Sequence, residues 1–500
     1  MRLSPRLLPA LRLLPAVLGL LAANSAFAQD AADDAAAGIR PSFVVIFCDD
    51  LGYGDLGSFG HPTIATPNLD RMAAEGTKLT SLYVAASVCT PSRAGLLTGR
   101  LPIRNGMCGK RRVLFPDSAD GLPQSETTIA RLLGSHGYRT AMFGKWHLGH
   151  LEQHLPTSHG FDEYFGIPYS NDMDKLQGKT NRVPYPGDPR ATTDWRDFNV
   201  PLLEARRGDD GMTASVTTVE QPTDQTTITQ RYANRAVEFI ERAAPGARSG
   251  EEPFFLYVPH SMPHIPLFRS DEFVGRSAAG VYGDVIEEID HSVGRILDAL
   301  RVQELAETTT VLFTSDNGPW LVFDQHGGSA GLLRDGKGTT WEGGVRVPAI
   351  AWGHGVAAGR VSSQIVSTLD VLPTLASLAG LDVSAELPGV TLDGVDQTEF
   401  LAGGDSAREE MFFYRGRELY AVRQGEFKLH LITQGAYGKT AAKRTVLPEP
   451  ELYNLAIDPR ERFDVAAEHP DVVAAIRKRA DEFVGSFDPP ASHLESRIGE

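Results

Sequence analysis

Cys89 stands in Cys89-Thr90-Pro91-Ser92-Arg93, which runs on into Ala94-Gly95-Leu96-Leu97-Thr98-Gly99-Arg100. Proline suits the first position of a helix, where its missing N–H would be unpaired anyway. The spacing therefore predicts Pro91 at N1, Thr90 as the cap and Cys89 just outside. A side chain there meets the positive end of the helix dipole, with Arg93 a short turn away. A cysteine so placed is expected to be acidic and reactive. The competing reading is a small buried hydrophobe, which free cysteine commonly is.

The other reactive side chains come in pairs behind apolar runs. Asp49-Asp50 follows Ser42 to Cys48, Lys145 and His147 follow Arg139 to Phe143, and His260 and His264 follow Phe254 to Val258. Asp316-Asn317 follows Thr309 to Thr314. Three carboxylates and an amide oxygen are hard donors, better suited to Ca²⁺ or Mg²⁺ than to Zn²⁺. Each pair could instead cap the turn after it, and the lysines and histidines could be solvated or packing residues. Gly331 to Gly338 is similar to a phosphate-binding loop. Gly338 stands where a Ser or Thr would hold Mg²⁺, however, and no helix is predicted next, so nucleotide binding is rejected.

These groups need a scaffold that gathers them. The apolar runs, with Val347 to Trp352, read as buried strands. Helices are predicted over Thr66 to Glu75, Ser125 to Ser135, Ile228 to Ala244, Tyr282 to Leu300 and Val371 to Leu378. Strands alternating with helices imply a mainly parallel sheet covered on both faces, with ligands outside the carboxyl ends of the strands. The pairs are thereby collected at one edge. Residues 171–225 are polar and without period, and are expected to be an insertion at the mouth of the site. Beyond Pro388 shorter strands (Met411 to Tyr414, Leu419 to Val422, Lys428 to Leu431) imply a small antiparallel sheet, followed by a helix from about Pro470 to Phe483. The expected division is a signal at 1–28, a catalytic α/β domain at 41–385 and a smaller α+β domain at 386–490.

The chain has 500 residues, 42% of them hydrophobic and 22% charged, with a net charge of −16. That balance excludes a nucleic-acid binder and means that an anionic substrate must be caught by a local basic cluster. Arg2, Arg6 and Arg12, the apolar run Leu13 to Ala23 and Ala26-Phe27-Ala28 read as an export signal. The expected location is periplasmic or secreted, without a transmembrane segment. Three cysteines make no disulfide scaffold. Cys48 reads as a buried thiol.

The Cys89 stretch resembles the signature of the type I, formylglycine-dependent sulfatases. Phe47 to Asp50, Gly144 to Gly149, Pro263 to Pro266, Ser315 to Gly318 and Gly336 to Arg346 are similar to that family's motifs, in its order. Gly166 to Ser170 and Gly331 to Arg334 are similar to the arylsulfatase A and N-acetylgalactosamine-6-sulfatase branch. The resemblance implies an alkaline-phosphatase-like fold and a maturation enzyme that oxidises Cys89 to formylglycine. Its hydrate would attack the sulfur of a sulfated small molecule or glycan, through a sulfated-enzyme intermediate. It implies one Ca²⁺ held by Asp49, Asp50, Asp316, Asn317 and residue 89. Arg93 and His147 would orient the hydrate and Asp316 would activate it. Lys145, Lys337, His264 and Ser170 would hold the sulfate, with His264 or Lys337 protonating the departing alcohol. His260 has no counterpart. A phosphomonoesterase or phosphonate hydrolase of the same fold, and a non-catalytic binder of sulfated glycans, are the alternatives.

Overall fold

A computed structural model describes residues 40–176, 194–208, 214–437 and 443–500. The expected export signal lies outside the described residues. The fold is built around strand β1 (Ser42–Cys48), whose seven residues are all buried. Val44, Ile46 and Cys48 enter one core while Phe43, Val45 and Phe47 enter the other. Two covered faces explain why the strand is apolar without alternation.

Strands β2 (Thr77–Tyr83), β3 (Arg139–Phe143), β4 (Glu163–Gly166), β5 (Leu202–Arg207), β6 (Ala214–Glu220) and β7 (Phe254–Pro259) join it. So do β8 (Thr309–Ser315), β9 (Arg346–Gly353), β10 (Arg360–Ser362) and β11 (Val366–Ser367). The order is β10-β2-β9-β8-β1-β7-β3-β4-β5-β6, with β11 also on β2. The central block β8-β1-β7-β3-β4 is parallel throughout. Only β9 and β5 run against the rest among the described strands. Helices α1 (Pro67–Glu75), α4 (Ile228–Ser249) and α5 (Gly280–Val302) cover one face. Helices α2 (Cys89–Thr98), α3 (Ile129–Ser135) and α6 (Val371–Leu378) cover the other.

Several boundaries differ from the sequence expectation. Helix α3 starts at Ile129 rather than Ser125, because the Thr128 hydroxyl caps the Arg131 N–H. Helix α4 continues past Ala244 through Pro245 to Ser249. The 171–225 stretch is not wholly irregular. Its β5–β6 hairpin extends the sheet at an edge, where only part of β5 is buried and no apolar pattern is required. Residues 177–193 and 209–213 of that stretch lie outside the described residues.

The companion sheet is antiparallel, β12 (Glu410–Arg415), β13 (Glu418–Gln424), β14 (Phe427–Thr433) and β15 (Thr445–Asn454) in that order. The sequence did not reveal β15, since Pro448 and Pro450 interrupt it. As an edge strand it tolerates them. Helix α7 (Pro470–Val484) stacks Phe483 on Phe412 with ring centroids 3.8 Å apart. A third core joins Leu79, Val347 and Ala349 of the large sheet to Phe413, Val422 and Leu429 of the small one, and buries Cys108.

A buried polar joint crosses this contact. Lys428 Nζ donates to Glu342 Oε1 at 2.9 Å and lies 3.1 Å from Glu461 Oε1. Tyr83 donates to Glu342 Oε2 at 2.5 Å, the Glu342 N–H donates to Glu461 Oε2 at 2.7 Å, and His430 Nε2 bonds Glu461 Oε1 at 2.7 Å. Burial alone would raise the Glu342 pKa, but Lys428, Arg346 and Arg423 hold it down at about 2. A folded-state pKa below the ordinary 4.5 contributes stability above that pH and loses it as pH falls toward 2. The shift corresponds to about 3 kcal/mol. Glu342→Gln should therefore lower stability at pH 7 by about 3 kcal/mol and flatten the acid limb of a plot of urea midpoint against pH. An acid limb as steep as that of the parent would refute this account of the joint.

Candidate active site

The five parallel strands each end in a side chain that faces the same place. β1 gives Asp49 and Asp50, β8 gives Asp316 and Asn317, β3 leads to Lys145 and His147, β7 to His264 and β4 to Ser170. The ends are tied together through backbone. The Gly144 N–H donates to the Phe165 carbonyl at 2.9 Å and the Lys145 N–H to the Pro259 carbonyl at 2.7 Å. At Gly144, with φ at 150°, a Cβ would stand 1.9 Å from the Pro259 oxygen, so no other residue fits. β9 runs the other way, so the loop before it brings Lys337 to the same edge.

Three buried carboxylates meet three buried cations here. Lys145 Nζ donates to Asp49 Oδ2 at 2.5 Å and to Ser170 Oγ at 3.1 Å. Lys337 Nζ donates to Asp50 Oδ2 at 2.7 Å. Arg93 Nε and Nη2 donate to Asp316 Oδ2 at 3.0 and 2.9 Å, and Nη1 to the Lys145 carbonyl at 2.8 Å. Asn317 Nδ2 donates to Asp50 Oδ1 at 2.7 Å. Burial would raise the Asp49 pKa, yet Lys145, His264 and Arg93 hold it well below the carboxylate range. At Asp316 burial and the neighbouring Asp49 prevail over Arg93, and its pKa rises to about 7.

Cys89 is buried beside these groups, and its Sγ and one oxygen each of Asp49 and Asp316 lie within 4.8 Å of one another. Three expectations for this segment are corrected. Cys89 is the first residue of α2, after Val88, and does not precede the helix. Thr90 does not cap, because its hydroxyl donates to the His147 carbonyl at 2.9 Å and accepts from the Leu114 N–H. Nor is the thiol acidic. Burial raises its pKa, and Lys145 and Lys337 only partly offset that.

His147 has φ of 61° and is fully buried. Its Nε2 lies 2.9 Å from the Leu114 carbonyl, which can only accept, so Nε2 carries the proton. Nδ1 is left as a bare lone pair without a partner, and burial and Lys145 keep the ring neutral. His264 has the opposite assignment. Its Nδ1 faces the Ile265 carbonyl at 2.5 Å and Asn171 Oδ1 at 3.1 Å, and its Nε2 faces Asp50 Oδ2 at 3.6 Å. Asn171, which sequence reasoning missed, is identifiable only by this contact. His260 turns away toward Ser292 Oγ, 3.3 Å from its Nε2, as a packing histidine.

The group opens into a cavity of about 470 Å³ whose lining includes Cys89, His147, Ser170, His264 and Lys337. Phe115, Trp320 and Phe323 supply apolar wall, and Lys337 Nζ stands 4.3 Å over the Trp320 ring. Asp172 to Lys175 and Phe198 also line it, which bears on the expectation that 171–225 reaches the mouth.

Comparison with known proteins fits this geometry. Residues 41–381 match the sulfatase family model, and residues 406–498 match the model for the C-terminal region of aryl-sulfatase. The chain belongs to the sulfatase family. It is 43% identical over 460 residues to arylsulfatase A of Homo sapiens, covering 88% of this chain and 86% of that one. It is 38% identical over 454 residues to N-acetylgalactosamine-6-sulfatase of Canis lupus familiaris, covering 85% and 82%. The crystal structure of the PsFucS1 sulfatase from Pseudoalteromonas sp. superposes with a TM-score of 0.80 at 30% identity, covering 92% and 94%. As a sulfatase, the chain is a sulfuric ester hydrolase with the alkaline-phosphatase-like architecture, and the family works through formylglycine and a divalent metal.

The sulfatase site fits such a metal. Asp49 Oδ1 and Asn317 Oδ1 are buried oxygens without a hydrogen-bond donor, an arrangement that costs free energy unless a cation faces them. The donors are hard, and Asp49 still raises the Asp316 pKa although Arg93 Nη2 stands 3.7 Å from Asp49 Oδ1 and 2.9 Å from Asp316 Oδ2. A divalent cation should therefore raise the melting temperature of metal-stripped protein, by about 2.7 kcal/mol of stability at a hundredfold excess over Kd. Asp316→Ala should abolish most of that increment. An increment of the same size in the variant would exclude these carboxylates as the site.

Proposed function

We propose that this chain hydrolyses the sulfate ester of a small molecule or glycan with Cys89 matured to formylglycine, with Ca²⁺ as its metal, and that it acts after export. The observation that carries the reading is the convergence of three carboxylates, three cations and Cys89 Sγ beside a cavity that Cys89 and Lys337 line. The buried and weakly acidic thiol of Cys89 suits a residue that is converted rather than one that attacks as thiolate. When formed, the aldehyde supplies a geminal diol, one hydroxyl of which attacks sulfur. Sγ here marks that oxygen's position. When bound, Ca²⁺ supplies charge opposite the sulfate and hydroxyl oxygens, and Asp49, Asp50, Asp316 and Asn317 would hold it.

The protein groups have distinct tasks. Asp316, already held by Arg93, is the acceptor for the proton of the attacking hydroxyl. His147, with its bare Nδ1, takes the second hydroxyl's proton when the aldehyde is regenerated. Lys145, Ser170 and Lys337 bind sulfate oxygens as fixed donors, which is where most stabilisation of transferred charge comes from. Burial would lower the Lys337 pKa, but Asp50, Cys89 and Asp49 hold it well above the ordinary value, so it binds rather than donates a proton. His264 is then the general acid. Its Nδ1 proton is committed to Ile265 and Asn171; burial and Lys337 lower its pKa, so the second proton, on Nε2, is readily given up, and Asp50 at 3.6 Å offsets only part of that.

A maturation enzyme that recognises the Cys89 segment is a required partner. Residues 1–28 are read as the export signal, 41–385 as the catalytic domain and 386–490 as its companion. The two separate sheets support that division. Among the described residues no helix is long and apolar enough to cross a membrane.

Mass analysis of the peptide containing Cys89 from active enzyme should show formylglycine, and Cys89→Ala should fold normally with no turnover. An intact thiol in fully active enzyme sinks the reading. His264→Ala should cost about 10²–10⁴-fold in kcat/KM on a sugar sulfate and far less on nitrophenyl sulfate, whose alcohol leaves unprotonated. Equal losses on both esters would make His264 a sulfate ligand only.

A further inference from the structure

We propose that Arg112 forms a subsite for a second anionic group on the substrate, so that the preferred ester has an alcohol part carrying another sulfate or a carboxylate. The inference rests on the sulfatase reading and adds the substrate class.

Arg112 lines the same cavity as Cys89, His147 and Lys337. Lys337, within that lining, is neutralised by Asp50. Arg112 is exposed, and among the described residues it has no carboxylate partner. Its guanidinium carbon stands over the Tyr437 ring, 4.8 Å from the centroid. The cation–ring contact anchors the head of the side chain without using its N–H groups, which suits bidentate capture of a carboxylate or sulfate. Its neighbour Arg111 shows the contrast, being paired with Asp117.

The subsite is pre-organised from both sides. Tyr437 comes from the companion sheet, after β14. Arg415 packs on its ring at 4.5 Å, and its carbonyl accepts from Trp320 Nε1 at 3.3 Å. A Cβ at Gly338 would meet its ring at 2.2 Å, so glycine there admits it beside Lys337. On the other side, Glu495 Oε1 accepts the backbone N–H groups of Lys110 and Arg111 at 2.5 and 3.2 Å. The His493 N–H donates to the Gly106 carbonyl, and Ala119 N–H to the Ser496 carbonyl. The loop that carries Arg112 is thus strapped down by residues 493–496. In a chain of net charge −16, an unneutralised arginine at the cavity mouth opposes the general repulsion of anions. The cavity's carboxylates, Asp172 and Asp174, belong to a different segment, and Asp172 acts on His264.

The test compares kcat/KM of full-length matured enzyme on nitrophenyl sulfate, galactose 6-sulfate, galactose 4,6-disulfate and a sulfated disaccharide containing a uronate. The parent should prefer one of the doubly anionic sugars to galactose 6-sulfate by about tenfold or more, and the one preferred identifies sulfate or carboxylate as the second group. Arg112→Ala should erase that ratio, mainly through KM, with Arg112→Lys retaining part of it. The ratio should also shrink between 50 and 500 mM salt, since the mouth is exposed. Turnover of nitrophenyl sulfate with no preference for a second anion, or a ratio unchanged in Arg112→Ala, overturns the subsite alone. No turnover of any sulfate ester overturns the sulfatase reading and the subsite together.

Discussion

Three carboxylates buried within one small volume are the constraint on which this structure depends. Each would cost several kcal/mol if left unpaired in such surroundings. Asp49, Asp50 and Asp316 are tolerated because Lys145, Lys337 and Arg93 each neutralise one of them. The three cations arrive from three separate segments, so the whole topology is needed to assemble the balance. Removing one cation leaves an uncompensated charge in a core, which is a folding defect before it is a catalytic one. The same balance also has a functional direction. It leaves Asp49 Oδ1 and Asn317 Oδ1 without donors, and thereby keeps a place for a further positive charge.

The parallel block explains how so much polar chemistry is collected without destabilising the core. β1 and β7 are almost wholly apolar and buried, β8 mixes apolar residues with buried threonines, and charged side chains begin only where each strand stops. Asp50 and His147 take left-handed backbone conformations just past those stops. Such conformations persist where surrounding contacts over-determine them. Here Asp50 is fixed by its N–H to Asp316 and by both Lys337 and Asn317, and His147 by the Leu114 and Thr90 contacts.

Legibility in the sequence followed burial. The central strands, the helices α1, α5 and α6, and the residues at the strand ends could be read because two-faced burial and turn chemistry leave strong local patterns. The edge hairpin β5–β6 and the proline-bearing β15 could not, since an edge strand needs neither continuous apolarity nor a full set of donors. The character of Cys89 was misread for a different reason. Helix position was visible locally, but the depth of burial that raises its pKa is a property of the assembled core. Asn171, Leu114 and Tyr437 act through contacts with residues distant in sequence, so no spacing could announce them.

These differences in legibility coincide with a division of labour. On the proposed reading, the atoms that would handle the sulfate stand largely on strand ends tied by backbone hydrogen bonds, where a displacement would break several buried ion pairs at once. Atoms at the mouth, on the 106–119 loop and after β14, are held by cation–ring contacts and by hydrogen bonds to residues 493–496. On the same reading, changing a mouth residue would alter a contact with the alcohol half of the ester and leave the buried charge balance intact. A scaffold of this kind would let mouth residues change without disturbing the buried ion pairs, because only the inner set is coupled to the stability of the fold.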